Sequence, residues 1–270
     1  TQEDPQYHFD GIVEAFRTAA SKMPRVDAIG GSSAGVIINS EVRTSSLFRG
    51  VSQEDIEKTL GKVFRTLQKE KWNNIPFEVV NDGEVTALAG AMGMNDNAVL
   101  GVAMGTSEAA GYVDGDGNIT GWLNELAFMP VDANPDAMED EWSGDIGCGV
   151  KYFSQDGVIK LAPAAGIELD ESLSPAEKLK VVQGLMENGD KRAEAVYRSI
   201  GTYLAHALAL YYDFYAFKHV LLLGRVMSGL GGSVILETCL SILNEEYPEL
   251  AQKVRVMLPD EKTRRVGQSV

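Results

Sequence analysis

Val79-Val80-Asn81-Asp82-Gly83-Glu84-Val85-Thr86-Ala87-Leu88-Ala89-Gly90 is the stretch whose reading decides the fold. An apolar strand runs into an Asn-Asp turn, and a helix of small residues follows. Soon after, Leu100-Gly101-Val102-Ala103-Met104-Gly105-Thr106 reads as a second strand that ends in a Gly-Thr turn. A carboxylate at the tip of one strand thus stands close in sequence to a hairpin whose backbone N–H groups suit an anion. A carboxylate so placed has the chemistry to take a proton from a hydroxyl.

Upstream, Ile12, Phe16, Ala20 and Met23 recur at helical spacing, and Pro24 closes that helix. Val26 to Gly30 reads as a short buried strand, Gly31-Ser32-Ser33-Ala34-Gly35 as a loop, and Val36-Ile37-Ile38 as strand again. Ser52 with Asp55 marks a helix start, and Ile56, Leu60, Val63, Phe64 and Leu67 form one apolar face. Pro76 precedes the strand Phe77 to Val80. The alternation of helix and strand is that of an α/β protein.

Downstream, strands are expected at 98–104 and 110–113. Asp114, Asp116, Asn118 and Glu125 match four positions of a calcium loop, yet Ile119 replaces its glycine and strands flank it, so a hairpin turn is expected. An irregular stretch runs from Trp122 to Phe153 with Trp142, Asp132, Asp136, Glu139, Asp140, Glu141 and Asp145. A loop that long in a compact domain is commonly functional, and its acids read as a solvated surface. Ser174, Pro175 and Glu177 open a helix to Asn188, and a longer one follows over 190–216. Val220 to Leu223 is a buried strand. Gly224 to Gly232 reads as a glycine loop entering a helix over 233–243, and 254–258 as a last strand. Gly267-Gln268-Ser269-Val270 reads as the opening of a further helix.

The formal charge of −15 argues against a nucleic-acid-binding face and against docking on anionic membrane. No apolar run approaches the roughly 18 residues of a spanning helix. The polar, acidic start is no signal peptide. Cys148 and Cys239 form no CxxC pair, so neither a structural zinc site nor a disulfide is expected, and a reducing cytoplasm is the simplest setting. His8, His206 and His219 lack metal-ligand spacing, and no metal site is expected.

Each motif also has a plain structural reading. Asp82 suits a helix N-cap. Gly105-Thr106-Ser107 with Gly111 suits a simple hairpin turn. The glycine run 224–232 lacks the Gly-Lys-Ser/Thr end of a P-loop and the spaced glycines of the dinucleotide fingerprint. Its place after a buried strand suits either close approach of a flat ligand or tight strand–helix packing.

In this order the motifs resemble the ROK family of repressors and sugar kinases, within the actin-like (ribonuclease H-like) superfamily. The resemblance runs from about Val26 onward through Asn81-Asp82 before an alanine-rich helix, the strand ending Gly105-Thr106-Ser107, the Asp-Gly hairpin, Asn124-Glu125-Leu126-Ala127-Phe128, and the strand and glycine loop from Leu222 through Gly232. It implies two actin-like domains around a cleft, the first incomplete, at residues 1–97 and 98–270. It implies ATP-dependent phosphorylation of a sugar or polyol. Asp82 would be the base, and Asn81 and Glu125 would hold sugar hydroxyls. Gly105 and Thr106 would lie against ATP phosphates, and Gly229, Gly231 and Gly232 would border adenosine. Mg²⁺ would travel with ATP. The oligomer implied is a homodimer, and the partners are a small-molecule sugar and a nucleotide.

The sequence also departs from the family pattern. An early Asp-x-Gly-Gly-Thr phosphate hairpin has only a loose echo in Asp27 to Ser32, so the sequence reads as a fragment lacking that hairpin and a closing helix. Ser107, Glu108, Ala109 and Ala110 replace a glycine-rich run, and Glu108 would repel phosphate unless it points away. Phe128 stands for a sugar-contacting His, and the zinc-binding cysteine cluster is missing. Glu108 and Phe128 favour an alternative: a sugar-binding sensor or regulator without phosphoryl transfer. ATPase or acyl-phosphate chemistry on the same fold is a third reading.

Overall fold

The structure, a computed structural model, describes residues 3–44, 48 and 50–259. The helix start expected at 267–270 lies outside them. The chain divides into two compact units, Thr1–Val85 and Thr86–Val270.

In the first unit, α1 (Pro5–Ser21) is opened by Asp4, whose carboxylate accepts the Gln6 N–H at 3.0 Å. There follow β1 (Ile29–Ser33), β2 (Val36–Ile38), β3 (Glu41–Thr44), α2 (Gln53–Asp55), a π-helical turn (Ile56–Leu60), α3 (Val63–Lys71) and β4 (Phe77–Asn81). The strand expected at 26–30 starts later and takes in Gly31, Ser32 and Ser33, which the sequence placed in a loop. The reason is pairing: β1 runs parallel to β4 along its whole length, from Ile29 opposite Phe77 to Ser33 opposite Asn81. Ladder hydrogen bonds override the weak strand preference of Gly and Ser. Ser52 caps α2 by accepting the Asp55 N–H at 3.1 Å. Ile56, Leu60, Val63 and Leu67 are buried as expected.

α4 (Asp82–Met94) follows β4 directly, and the division between the units falls inside it. The sequence set the boundary near 97. The helix residues after Val85 instead pack with the second unit's sheet, where Ala87 and Ala91 bury with Val99, Val113 and Leu221. That sheet consists of β5 (Val99–Met104), β6 (Glu108–Val113), β7 (His219–Leu223) and β8 (Arg255–Met257), in the order β6-β5-β7-β8. β6 is antiparallel to β5, and β5, β7 and β8 are parallel.

The other elements are α5 (Gln155–Leu161), α6 (Pro175–Glu187), α7 (Lys191–Tyr212), α8 (Gly229–Glu246) and α9 (Pro248–Ala251). Strand alternation explains the layering. Leu100, Val102, Val220 and Leu222 bury in one core with Val196, Ile200, Leu204 and Leu208 of α7. Val99 and Gly101 look the other way, onto α4. A Cβ on Gly101 would stand 3.0 Å from the Ala87 nitrogen, so that face requires small residues. Each buried Leu or Val contributes roughly 1.5–3 kcal/mol.

α7 stops at Tyr212, short of the expected 216, because buried Tyr215 and Phe217 turn the chain into β7. Among its described residues the irregular stretch holds short 3-10 turns at Leu126–Phe128 and Gly149–Lys151 and isolated antiparallel bridges, Pro130 to Cys148 and Glu139 to Ile146. Its acids are more than a solvated surface. The buried Lys151 ammonium meets Asp140 at 3.0 Å, Glu141 at 2.6 Å and Asp156 at 3.4 Å. Asp132 accepts the hydroxyls of Tyr152 at 2.6 Å and Tyr203 at 3.0 Å.

Candidate functional site

In the first unit the candidates stand at the carboxyl end of β4, the end of a parallel strand pair where α/β proteins bind ligands. Asn81 caps α4: its Oδ1 accepts the Gly83 N–H at 2.7 Å. The Glu84 carboxylate reaches back to accept the Asn81 N–H at 3.3 Å, the returning half of a capping box. The sequence reading missed this Asn-x-x-Glu pattern, although its spacing was on view. Asn81 Nδ2 also donates to the Gly35 carbonyl at 2.8 Å. The helix cap is therefore Asn81, one residue before the position considered for it. Asp82 is the half-buried first residue of α4. Burial raises the pKa of Glu84, against the lowering effect of the Asn81 N–H.

In the second unit, Gly105 and Thr106 form the turn between β5 and β6. The Gly105 N–H donates to the Ser107 carbonyl at 2.9 Å, and the Gln155 N–H to the Gly105 carbonyl at 2.9 Å. Thr106 and Ser107 are exposed. The turn after β7 lies beside this hairpin. The Val226 N–H donates to the Met104 carbonyl at 3.1 Å, and a Cβ on Gly224, at φ +98°, would collide with the Met104 backbone. The hairpin and the start of the glycine run thus meet at the carboxyl ends of β5 and β7.

The run differs from the expected loop. α8 begins at Gly229, so Gly231 and Gly232 lie in its first turn. A Cβ on Gly231 would stand 2.5 Å from the Tyr197 ring, and one on Gly232 would collide with the Met227 carbonyl. Both glycines face the protein's own atoms. Gly229, at φ +68°, lies against Glu187, whose Oε1 accepts the Leu230 N–H at 3.0 Å. A carboxylate of the chain itself therefore occupies the positive end of α8.

Glu125 is exposed and precedes the turn Leu126–Phe128, where the Phe128 N–H donates to its carbonyl at 3.2 Å. The Phe128 ring lies 5.5 Å from that of Trp142, tilted by 34°. Glu108 opens β6 opposite Met104 and turns inward. It is 5% exposed, and neither carboxyl oxygen has a hydrogen-bond partner. Burial, then the charge of Glu125, pushes its pKa up to about 8. Neighbouring Asn124 is 9% exposed, and its side-chain amide is also without a partner. Buried polar groups of this kind are uncommon in folded proteins. Composition gave no signal for them, since only the fold decides which way Glu108 points.

No sequence-family model matches the chain, and no curated protein sequence matches it. Solved structures do. A ROK family transcriptional regulator, a homologue of the E. coli MLC protein, aligns over 98% of this chain and 67% of its own, at 18% identity and TM-score 0.69. The ROK hexokinase of Thermus thermophilus aligns over 96% of this chain and 85% of its own, at 18% identity and TM-score 0.69. A ROK family glucokinase from Streptomyces griseus, solved with glucose and AMPPNP, aligns over 96% of this chain and 86% of its own, at 17% identity and TM-score 0.65. The chain has the α/β fold of ROK proteins, kinases and a regulator alike.

Proposed function

We propose that the chain carries an ATP-dependent kinase activity toward a hydroxyl of a sugar or polyol. The observation that carries this reading is Asp82 at the carboxyl end of β4, behind an Asn81 cap, in a chain with the fold of ROK sugar kinases. Asp82 takes the proton of the attacking hydroxyl as its oxygen bonds to the γ-phosphorus of ATP; ADP leaves. Asn81 retains one N–H and one carbonyl lone pair beyond its cap and Gly35 bonds, and these hold a sugar hydroxyl. Glu125 accepts another. Gly105 and exposed Thr106 lie against the phosphates, and the α8 start at exposed Gly229 borders adenosine through backbone, while buried Gly231 and Gly232 serve packing instead. The hairpin suits an anion because Thr106 and Ser107 are exposed while Glu108, the residue after them, is buried. Mg²⁺ arrives with ATP and neutralises charge on the transferred group. The cytoplasm and a homodimer belong to the same reading.

Sugar-dependent release of ADP, abolished in Asp82→Asn, tests it. A second reading is favoured by the tilted Phe128–Trp142 contact, which puts an aromatic pair where the kinases' pattern has a His. It makes the chain a sugar-binding sensor; sugar binding without ADP release would establish that.

A further inference from the structure

Glu108 is the acid that the proposed chemistry leaves unused, and its setting is unusual. It follows the Gly105-Thr106-Ser107 turn directly, yet its carboxyl lies inside the unit. A Cβ on Gly149 would stand 2.5 Å from Glu108 Oε2 and 2.7 Å from the Leu126 carbonyl, so Glu108 is wedged among backbone atoms. The titratable groups that act on it come from two further elements. Glu125, before the Leu126–Phe128 turn, is acidic. The Tyr211 hydroxyl of α7 is buried, without a partner, and feels the Glu108 charge. Cys148, beside Gly149, in turn bears on Tyr211. No basic side chain is among these groups. An ionised carboxylate would have neither a hydrogen bond nor a counter-charge there, an arrangement that proteins avoid by keeping the proton.

We propose that Glu108 is a positioning residue for the 105–107 hairpin: standing behind it as a neutral acid, it lets the hairpin take a phosphate, and loss of its proton closes the hairpin to anions. The inference rests on the kinase reading and adds a condition to it. Two mechanisms act together. An ionised Glu108 puts negative charge into a low-dielectric interior one residue from the turn, where repulsion reaches a bound phosphate. It also draws water toward Gly149 and Leu126, and so disturbs the turn that carries Glu125. A glutamine keeps the shape and the uncharged state but has no proton to lose.

The test is calorimetric titration of Mg-ATP into the 270-residue chain at pH 7, 8 and 9, alongside Glu108→Gln. If binding needs the protonated acid, wild-type affinity falls roughly tenfold between pH 7 and pH 9, following the fraction protonated, as for any ligand that selects one state. In Glu108→Gln the affinity is the same at pH 7 and pH 9. Carboxyl carbons of ¹³C-glutamate give a second readout on the same chain: one carboxyl titrates near pH 8 in the wild type and is missing from the variant. ATP binding that is equally strong at all three pH values overturns the inference and leaves the kinase reading standing. A parallel fall in both proteins also overturns it. ATP binding at no pH removes the kinase reading, and the gate with it.

Discussion

The side-chain oxygen of Asn81 accepts the backbone N–H of Gly83 at 2.7 Å, two residues on and within the first turn of α4. The helix cap therefore stays in place when Asp82 changes. Asp82→Asn is expected to fold with wild-type stability and bind Mg-ATP, while sugar-dependent turnover drops by about 10²–10⁴-fold, the usual range for a lost general base. Asn81→Ala is expected to cost about 1 kcal/mol in urea unfolding, the typical value of an N-cap. Equal effects of the two changes on stability would show that the roles are assigned wrongly.

Gly231 tests packing at the start of α8. Its missing Cβ leaves room for the Tyr197 ring, which is fully buried in α7. Gly231→Ala is expected to destabilise by about 1–3 kcal/mol through overpacking. Thermal melting checks this, and Gly184→Ala serves as control. Nothing stands within 4 Å of a Cβ at Gly184, inside α6, so that change is neutral or stabilising.

Much of the fold was legible in the sequence because it rested on local signals. The capping box at Ser174 and Glu177 and the apolar run at Val220 to Leu223 stand where periodicity and cap chemistry put them. What was not legible depended on partners far along the chain. Gly31, Ser32 and Ser33 become strand only because β4 supplies the other half of the ladder. Gly231 and Gly232 read as the end of a glycine loop, with ligand approach and strand–helix packing both open; which of the two applies, and that α8 already begins at Gly229, depends on Tyr197 of α7 and on the Met227 carbonyl. Among the site residues, Asp82 and Thr106 were visible as ends of apolar strands. The inward turn of Glu108 was not, since strand alternation fixes the side only once the register is known.

Glu108 also makes a stability prediction that needs no ligand. Its carboxyl is raised from an ordinary 4.5 to about 8 in the folded chain. The folded state therefore binds the extra proton between those values, and stability is lost as pH rises from 4.5 toward 8. Glu108→Gln is expected to match the wild type near pH 4.5 and exceed it near pH 8. Urea unfolding at the two pH values measures the difference; identical pH dependence in both proteins would contradict it.

Lys151 sets the acid side. The Lys151 ammonium, with Lys160, lowers Glu141 to about 2. Burial opposes the same effect at Asp140, but hydrogen bonds from Ser143 and Lys151 prevail and lower it as well. Depressed acids contribute stability above their unfolded pKa and lose it as pH falls, here from about 4.5 toward 2. Lys151→Met leaves the buried Asp140 without its cation. The expected cost is on the order of 3 kcal/mol near neutral pH, with a shallower loss of stability on acidification. Chemical unfolding across pH 3–7 reads both.

The most direct measurement is ADP release from Mg-ATP by the 270-residue chain, with and without each member of a sugar panel, alongside Asp82→Asn. The kinase account predicts release that depends on one sugar class, is abolished by the substitution, and is accompanied by one phosphorylated sugar per ADP. Sugar binding without ADP release would contradict it and make the chain a sensor. ADP release indifferent to sugar would make it an ATPase on the same fold.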